Sequence, residues 1–301
     1  MPRYLVTGGA GFIGSHIVKK LLKFSKVVII DNLTTGSNMH EGAEFIHGDV
    51  TDPAVYAKVG QVDGIFHLAA MSKVLPSLGD PNMVDFCTHQ NVNGTIQVLK
   101  FAASFDPPVK VVYSASSTYY GNSPVPNTET QLPDCQSPYA LSKYVGELYC
   151  GLFSRLFNVP TVRLRYFMVF GPGEPSTGAY AVVSGIFKQN KKENKPLCIH
   201  GDGSQTRDFV HVEDIAEANI RAMQSSLTDN TINVGTGKMT SIKELADIVS
   251  DNQVFTEGRS HDLKHTLADC TELKRLLDWI PEKTIQSSLK EGSGSDESYS
   301  L

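Results

Sequence analysis

The stretch YLVTGGAGFIGSHIVKKLLKFSKVVIID, residues 4–31, decides the fold of this chain. A short apolar run enters a loop in which Gly8, Gly11 and Gly14 recur every third residue. An amphipathic segment follows, and a second apolar run at residues 27–30 ends in Asp31. This order of strand, glycine loop, helix and strand is typical of the βαβ unit that binds dinucleotides.

Each glycine of the loop has a physical role in such a unit. Gly8 permits the sharp turn out of the strand, Gly11 leaves room for a pyrophosphate, and Gly14 lets the helix pack closely on the strand. The free N–H groups at the start of the helix then face the phosphates. Asp31 can accept hydrogen bonds from a ribose 2′-hydroxyl and would repel a 2′-phosphate, which predicts NAD rather than NADP.

Length and composition narrow the class of protein. A chain of 301 residues is long enough for a full α/β core with a second, smaller lobe. A net charge of -5, without a dense cluster of Lys and Arg, gives no reason to expect nucleic-acid binding. The five cysteines are widely spread and lack metal-ligand spacing, which favours free thiols and no metal site. No apolar run is long enough to span a bilayer, and the chain starts directly in a strand, so we expect a cytoplasmic protein without a membrane partner.

Strand and helix patterns alternate through about residue 166. This alternation predicts an α/β fold, a Rossmann-type doubly wound parallel sheet with a smaller C-terminal substrate-binding lobe. Helices are expected at about 53–59, 83–104 and 138–157. The predicted division is an NAD-binding domain at 1–166 plus about 208–235, a lobe at about 167–207 and 236–290, and a disordered tail at 291–301.

Two segments carry the predicted chemistry. Residues 114–121, SASSTYYG, follow the fifth strand, where ligands of such sheets bind. Tyr139 and Lys143 are four residues apart in a predicted helix and so share one face. A nearby ammonium and a positive nicotinamide ring favour the phenolate, so the tyrosine can act as a base near neutral pH.

Taken together, these segments resemble the extended short-chain dehydrogenase/reductase family. The motifs are TGGAGFIG (residues 7–14), HLAA (67–70), NVNGT (91–95), YALSK (139–143) and GDGSQTRDFVHVEDIA (201–216). Within the family the chain is similar to nucleotide-sugar 4-epimerases that act on UDP-glucose or UDP-N-acetylglucosamine.

The resemblance implies a role for each matching residue. Tyr139 would be the catalytic base, and Lys143 would hold the nicotinamide ribose. Ser116 aligns best with the residue that bonds the sugar 4-hydroxyl, and Ser117 is the alternative for that role. The implied NAD site consists of Gly8, Gly11, Phe12, Ile13, Gly14, Asp31, Asn32, Asp49, Val50, Leu68, Ala69, Ala70, Asn93, Tyr139, Lys143 and Tyr166. The implied UDP-sugar site consists of Lys73, Ser116, Ser117, Met168, Arg207, Arg259, Asp262 and Thr266.

The implied reaction is 4-epimerisation through a transient 4-keto sugar that turns its other face before hydride and proton return. Related enzymes that eliminate or decarboxylate carry an acid beside the serine, whereas residues 117–119 here are Ser-Thr-Tyr. Decarboxylation and reduction remain alternative reactions, and 4,6-dehydration is less favoured than either. A further alternative is that the chain binds NAD without catalysing a reaction.

Three positions bear on the substrate. Met168 stands where the family usually has an asparagine that contacts the nucleotide-sugar, and residues 259–262 read Arg-Ser-His-Asp in place of Arg-Pro-Gly-Asp. Thr266 stands where similar enzymes have a tyrosine that closes the sugar pocket, so the resemblance implies room for an N-acetyl group.

The helices at about 83–104 and 138–157 are apolar on more than one face, and related enzymes pair them in a four-helix bundle, which predicts a homodimer.

Overall fold

The computed structural model describes residues 1–72, 74–259 and 263–291. Its largest feature is a seven-stranded sheet in the order β11-β6-β5-β4-β1-β2-β3, in which all neighbouring strands are parallel. The prediction of a Rossmann-type parallel sheet is confirmed. The strands are β1 (Arg3–Thr7), β2 (Lys26–Asp31), β3 (Glu44–His47), β4 (Gly64–His67), β5 (Lys110–Ser116), β6 (Thr161–Tyr166) and β11 (Asp229–Val234).

Helices cover both faces of this sheet. On one face α1 (Phe12–Leu21) packs beside α7 (Val212–Gln224), and their buried side chains share an apolar cluster with β1 and β6. On the other face α4 (Gly94–Ala103) and α5 (Pro138–Phe157) pack over β4 and β5 in a second cluster. The sheet is therefore buried on both sides, as parallel sheets require.

Helix α5 has the bounds that the sequence predicts. The Ser137 side chain accepts a hydrogen bond from the Ala140 N–H, and Pro138 occupies the first turn, where its missing N–H costs nothing. At the other end Asn158 adopts a left-handed conformation that terminates the helix. These local signals place Tyr139 and Lys143 in the first two turns of α5.

The predicted single helix at 83–104 is wrong in its regularity. The segment consists of α3 (Asn82–Cys87), a π-helical turn (Thr88–Asn93) and α4. A π turn inserts an extra residue, and such turns are frequent at functional sites. The expected short helix at 53–59 is present as a 3-10 helix, Pro53–Lys58. Preceding α3 is α2 (Val74–Leu78).

The remaining elements all follow β6 in the chain. A third apolar cluster, which includes Phe170, Phe187 and Leu245, joins six of them, whereas the helix at 271–277 packs through Leu273 and Leu277 in the first cluster. The strands pair in two-stranded units, β7 with β10, β9 with β12 and β8 with β13. These elements are β7 (Met168–Phe170), α6 (Val183–Lys192), β8 (Leu197–His200), β9 (Thr206–Arg207), β10 (Phe209–His211), β12 (Thr240–Ser241), α8 (Ile242–Val249), β13 (Gln253–Thr256), α9 (Thr271–Leu277) and α10 (Ile285–Glu291). The predicted disordered tail lies outside the described residues, apart from Glu291 at the end of α10.

Candidate active site

A cavity of about 860 Å³ opens at the carboxyl ends of the main sheet's strands. It brings together most of the residues that the sequence predicts for the cofactor and the substrate. Those that line it are Gly8, Gly11, Phe12, Ile13, Gly14, Asp31, Asn32, Val50, Leu68, Ala69, Ala70, Ser116, Ser117, Tyr139, Lys143, Tyr166, Met168, Arg207, Arg259 and Thr266. Lys73 and Asp262 lie outside the described residues.

The glycine loop has the shape that a dinucleotide site needs. Gly8 has a φ of +74°, and a Cβ there would lie 2.7 Å from the Ala69 backbone nitrogen. A Cβ on Gly14 would lie 2.1 Å from the Gly8 carbonyl oxygen. A Cβ on Gly11, in contrast, would meet only the Gly8 oxygen at 3.3 Å, and Gly11 lines the cavity. The backbone at Gly11 thus leaves the space that a pyrophosphate occupies in such loops, and the residues fit NAD.

Asp31 closes the second strand at the edge of this loop. Its carboxylate accepts hydrogen bonds from the Ala10 N–H at 3.0 Å and the Leu33 N–H at 2.8 Å. The carboxylate is therefore held at the tip of β2, where it can meet a ribose. Among the described residues lining the cavity, it is the one carboxylate.

Two predicted cofactor residues do not line the cavity. Asp49 accepts hydrogen bonds from Thr51 in its own loop and from Asn32 and Gln90, which both line the cavity. Burial raises the pKa of its carboxyl, but these hydrogen bonds together outweigh burial and lower the pKa below its usual value. Asn93 is exposed, and its side chain contacts His89 Nδ1 at 3.3 Å. The role of these two residues in binding the cofactor stays a prediction.

Asn91, two residues before Asn93, is the buried asparagine of this segment. Its side chain binds the Met71 N–H at 2.7 Å, the Met71 carbonyl at 3.0 Å and Ser142 Oγ at 2.8 Å. It thereby ties the loop after β4 to the helix that carries Tyr139 and Lys143. The motif NVNGT contains both asparagines, and both lie in the π-helical turn Thr88–Asn93.

Ser116 ends β5 and begins a 3-10 turn, Ser117–Tyr120. Its Oγ accepts a hydrogen bond from the Thr118 N–H at 3.2 Å and lies 2.8 Å from Thr118 Oγ1. Thr118 also lines the cavity, and the sequence did not single it out as a site residue. The only signal for it was its position two residues after the serine.

Tyr139 and Lys143 point from α5 into the same cavity. Burial raises the pKa of Tyr139, and a hydrogen bond with Ser116 acts in the opposite direction. Burial lowers the pKa of Lys143 to about 7, although the nearby Cys150 and Glu147 favour its charged form. The Lys143 ammonium nitrogen lies 4.3 Å from the centroid of the Tyr113 ring, a contact that favours the cation.

His67, at the end of β4, is a buried histidine close enough to Lys143 to be affected by its charge. Its Nδ1 is 2.7 Å from Thr7 Oγ1 and its Nε2 is 3.0 Å from Thr95 Oγ1. Burial, with the nearby Lys143 charge, lowers its pKa to about 3. His67 therefore stays neutral at physiological pH and serves as a packed hydrogen-bonding residue rather than an acid.

The two arginines reach the cavity from different elements. Arg207, on β9, is buried, and its Nη1 donates to the Leu263 carbonyl at 2.7 Å. Arg259 is exposed and bonds His200 Nε2 at 2.8 Å. Planar guanidinium groups suit the recognition of phosphates. No group of His, Cys, Asp and Glu side chains in the described part of the chain could hold a metal ion.

A family model described as the NAD dependent epimerase/dehydratase family matches residues 4–235. The chain is 34% identical over 305 residues to a UDP-glucose 4-epimerase of Mycolicibacterium smegmatis, covering 95% of this chain and 96% of that protein. It is 30% identical over 315 residues to a UDP-N-acetyl-alpha-D-glucosaminuronate decarboxylase of Bacillus cytotoxicus, covering 96% of both.

Solved structures agree with this relationship. A UDP-N-acetylglucosamine 4-epimerase from Methanobrevibacter ruminantium M1, in complex with UDP-N-acetylmuramic acid, superposes with a TM-score of 0.90 at 35% identity. The superposition covers 96% of each chain. None of the described helices is both long and apolar enough to cross a membrane.

Proposed function

The chain belongs to the NAD-dependent epimerase/dehydratase family, and we propose that within it the protein catalyses the 4-epimerisation of UDP-hexoses. The family and the cofactor, NAD, are shared by enzymes with several reactions. The choice of reaction rests on the groups that surround the reacting carbon.

One observation carries the proposal. Ser116, Tyr139 and Lys143 line one cavity, and among the described residues that line it Asp31 is the one carboxylate. Thr118 occupies the place next to Ser116, at 2.8 Å between the two hydroxyl oxygens. Asp31, the acid that lines the described cavity, is bound by backbone N–H groups at the opposite, glycine-loop end. The described part of the site thus has groups that can move one proton at one hydroxyl, and it has no acid near Ser116 in the cavity lining for an elimination.

In the proposed reaction Tyr139 removes the proton of the sugar 4-hydroxyl. NAD, when bound, supplies the reversible hydride acceptor. The Ser116 hydroxyl holds the same sugar oxygen and stabilises the Tyr139 phenolate by a hydrogen bond, which offsets part of the effect of burial. Lys143 orients the ribose, and its partial positive charge favours the phenolate further. Tyr139 returns the proton after the 4-keto sugar has turned its other face.

The UDP part of the substrate anchors this rotation. We assign the diphosphate to Arg207 and Arg259, since both line the cavity and carry fork-shaped donors. Met168 offers no donor to the nucleotide-sugar, so the sugar is held more weakly than the diphosphate. Strong binding of the remote group and loose binding of the sugar suit a substrate that must rotate in place.

We further propose that the enzyme accepts N-acetylated sugars. Thr266 lines the cavity and is 6% exposed, so its small side chain borders the sugar space. The M. ruminantium epimerase of similar structure binds a UDP-sugar with an N-acetyl group. A bulky residue at position 266 would take the room that this group needs.

Decarboxylation of a UDP-uronate is the second candidate, because a decarboxylase is among the relatives. It opens with the same oxidation at carbon 4, so the residues described above serve it as well. Epimerisation is favoured because the described cavity lining holds no carboxylate other than Asp31, which lies at the glycine loop.

A homodimer is the proposed assembly. One face of α5 exposes four leucines, each between 38% and 62% accessible. A row of apolar side chains that is exposed in one copy of a chain is typical of a surface that a partner covers. They are Leu141, Leu148, Leu152 and Leu156. A second copy that pairs α5 and the α3–α4 segment in a four-helix bundle would cover this stripe.

The test is an NMR assay of the purified protein with UDP-glucose, UDP-N-acetylglucosamine and UDP-glucuronate, each supplied separately with and without added NAD. Galacto epimers formed without net NADH are expected for the first two substrates. Tyr139→Phe should lower the rate by about 10²-fold or more, since it removes the base and keeps the ring.

Two controls separate the alternatives. A UDP-pentose and CO2 from UDP-glucuronate, without epimers of the other two sugars, would replace the proposal by decarboxylation. Thr266→Tyr should abolish turnover of UDP-N-acetylglucosamine and keep that of UDP-glucose. Equal loss of both activities would contradict the role of Thr266 in sugar size.

A further inference from the structure

Tyr119 lies between the serine turn and the catalytic helix. It is 1% exposed and stands in the 3-10 turn, three residues after Ser116. Its ring centroid is 5.4 Å from that of Tyr144, the residue after Lys143 on α5. The guanidinium carbon of Arg165 lies 5.1 Å from the centre of its ring. The ring is thus enclosed by the elements that carry the reacting groups.

The hydroxyl of Tyr119 connects these elements by hydrogen bonds. It accepts from the Ser116 N–H at 3.4 Å and donates to Glu147 Oε2. Burial raises the pKa of Tyr119 well above its usual value, so the hydroxyl stays protonated and remains a donor. One phenol therefore joins the backbone of the serine to helix α5.

Glu147 is itself held in place. Arg165 on β6 donates to both of its oxygens, from Nη2 to Oε1 at 2.6 Å and from Nε to Oε2 at 3.1 Å. Glu147 follows Lys143 by four residues and Tyr139 by eight, so all three lie along one side of α5. Any shift of Glu147 along or around the helix axis would move the two reacting side chains with it.

A buried ion pair of this kind adds little net stability, because desolvation of two charges offsets their attraction. Its directional bonds can still define one geometry. We propose that Tyr119 is a positioning residue whose hydroxyl, anchored on the Glu147–Arg165 pair, fixes Ser116 relative to Tyr139 and Lys143. This inference rests on the proposed function in that Ser116 and Tyr139 are taken as the pair that holds the sugar oxygen.

Tyr120 provides a matched control. It is also 1% exposed, and its hydroxyl also bonds the same arginine, accepting from Arg165 Nη1 at 2.6 Å and donating to Asn233 Oδ1 at 2.7 Å. Its hydroxyl bonds thus run to β6 and β11 rather than to Ser116. Tyr119→Phe and Tyr120→Phe each remove one buried hydroxyl from the same ion-pair network.

The experiment compares kcat, KM, NAD affinity and Tm of both variants with the wild type, using UDP-glucose and UDP-N-acetylglucosamine. For Tyr119→Phe we expect kcat to fall about tenfold with KM and NAD affinity nearly unchanged, because a small displacement of a reacting group is costly. For Tyr120→Phe we expect a similar fall in Tm with kcat retained. A retained kcat in Tyr119→Phe, or equal kcat losses in both variants, would overturn the proposal.

Crystal structures of both variants supply a readout independent of turnover. In Tyr119→Phe the distance from Ser116 Oγ to Tyr139 Oη should change by about 0.5 Å or more, and in Tyr120→Phe it should not. An unmoved Ser116 in Tyr119→Phe refutes the inference whatever the activity. A wild type inactive on every UDP-hexose refutes the proposed function and leaves this structural comparison decisive. If Tyr119→Phe does not fold, Glu147→Gln, which keeps the shape of the anchor and removes its charge, should show the same loss of kcat and the same displacement.

Discussion

Replacing Lys143 by methionine should make the protein more stable and nearly inactive. Lys143 is 4% exposed, and its ammonium faces an aromatic ring with no carboxylate at ion-pair distance among the described residues. Methionine keeps most of the apolar length of the side chain and removes the charge. A catalytic residue buried at a cost to stability is expected where function requires it.

The magnitude follows from the pKa of the lysine. Its fall from 10.5 to about 7 on burial corresponds to a destabilisation of about 4 kcal/mol at pH 7. The cation–π contact with Tyr113 offsets about 1 kcal/mol of this. We therefore expect Lys143→Met to raise the free energy of unfolding by about 3 kcal/mol at pH 7.

The pH dependence has a definite sign. In the unfolded chain the lysine stays protonated up to about pH 10.5, whereas in the folded protein it releases its proton near pH 7. Between these values the unfolded state binds more protons, so the stability of the wild type rises with pH. The advantage of Lys143→Met is fully present at or below pH 7 and should shrink by about 2 kcal/mol by pH 9.

Urea unfolding of wild type and Lys143→Met at pH 6, 7, 8 and 9, without added nucleotide, measures both quantities. Lys100→Met, which changes an exposed lysine of α4, is the control and should alter stability by less than about 0.5 kcal/mol at every pH. Epimerase activity of Lys143→Met should fall about 10²-fold or more. A variant less stable than the wild type at pH 7, or a stability gap independent of pH, would refute the reasoning.

Three further changes test other parts of the molecule. Gly14→Ala places a Cβ 2.1 Å from the Gly8 carbonyl oxygen, so it should lower the free energy of unfolding by about 3 kcal/mol and remove most of the NAD affinity. If calorimetry finds that the variant binds NAD as tightly as the wild type, the close packing at Gly14 is contradicted. Asp31→Ser removes a carboxylate near the expected ribose and should weaken NAD binding about tenfold while raising the affinity for NADP relative to NAD; an unchanged ratio of the two dissociation constants would exclude Asp31 as the selector. Leu148→Glu with Leu152→Glu puts charges on the exposed stripe of α5 and should yield a monomer by light scattering, whereas a wild type that is already monomeric would remove the proposed dimer.

The fold was largely predictable because its signals are local. Glycines at three-residue spacing followed by an amphipathic segment determine a turn and a helix within about fifteen residues. The bounds of α5 follow from Ser137 and Pro138 at its start and Asn158 after its end. Apolar runs that end in turn residues gave the strands, and short right-handed crossovers then leave few topologies.

The buried asparagine of the motif at 91–95 was not identified from the sequence. The family resemblance implied Asn93 for the NAD site, although residues two apart lie on nearly opposite faces of a helix. Within the π-helical turn Thr88–Asn93, Asn91 is buried and Asn93 is exposed. Asn91 is held by hydrogen bonds with Met71 in the loop after β4 and with Ser142 on α5, which are both distant in sequence.

The sequence by itself thus determined the parallel sheet, the cofactor loop and the spacing of Tyr139 and Lys143, since these depend on neighbouring residues and on the helical repeat. Only the tertiary structure decided how deeply Lys143 is buried, that Thr118 bonds Ser116, and that Glu147 pairs with Arg165. Burial and polar pairing depend on groups that come from separate strands and helices. The pKa values and side-chain positions that enable catalysis arise when packing brings these groups together and excludes water.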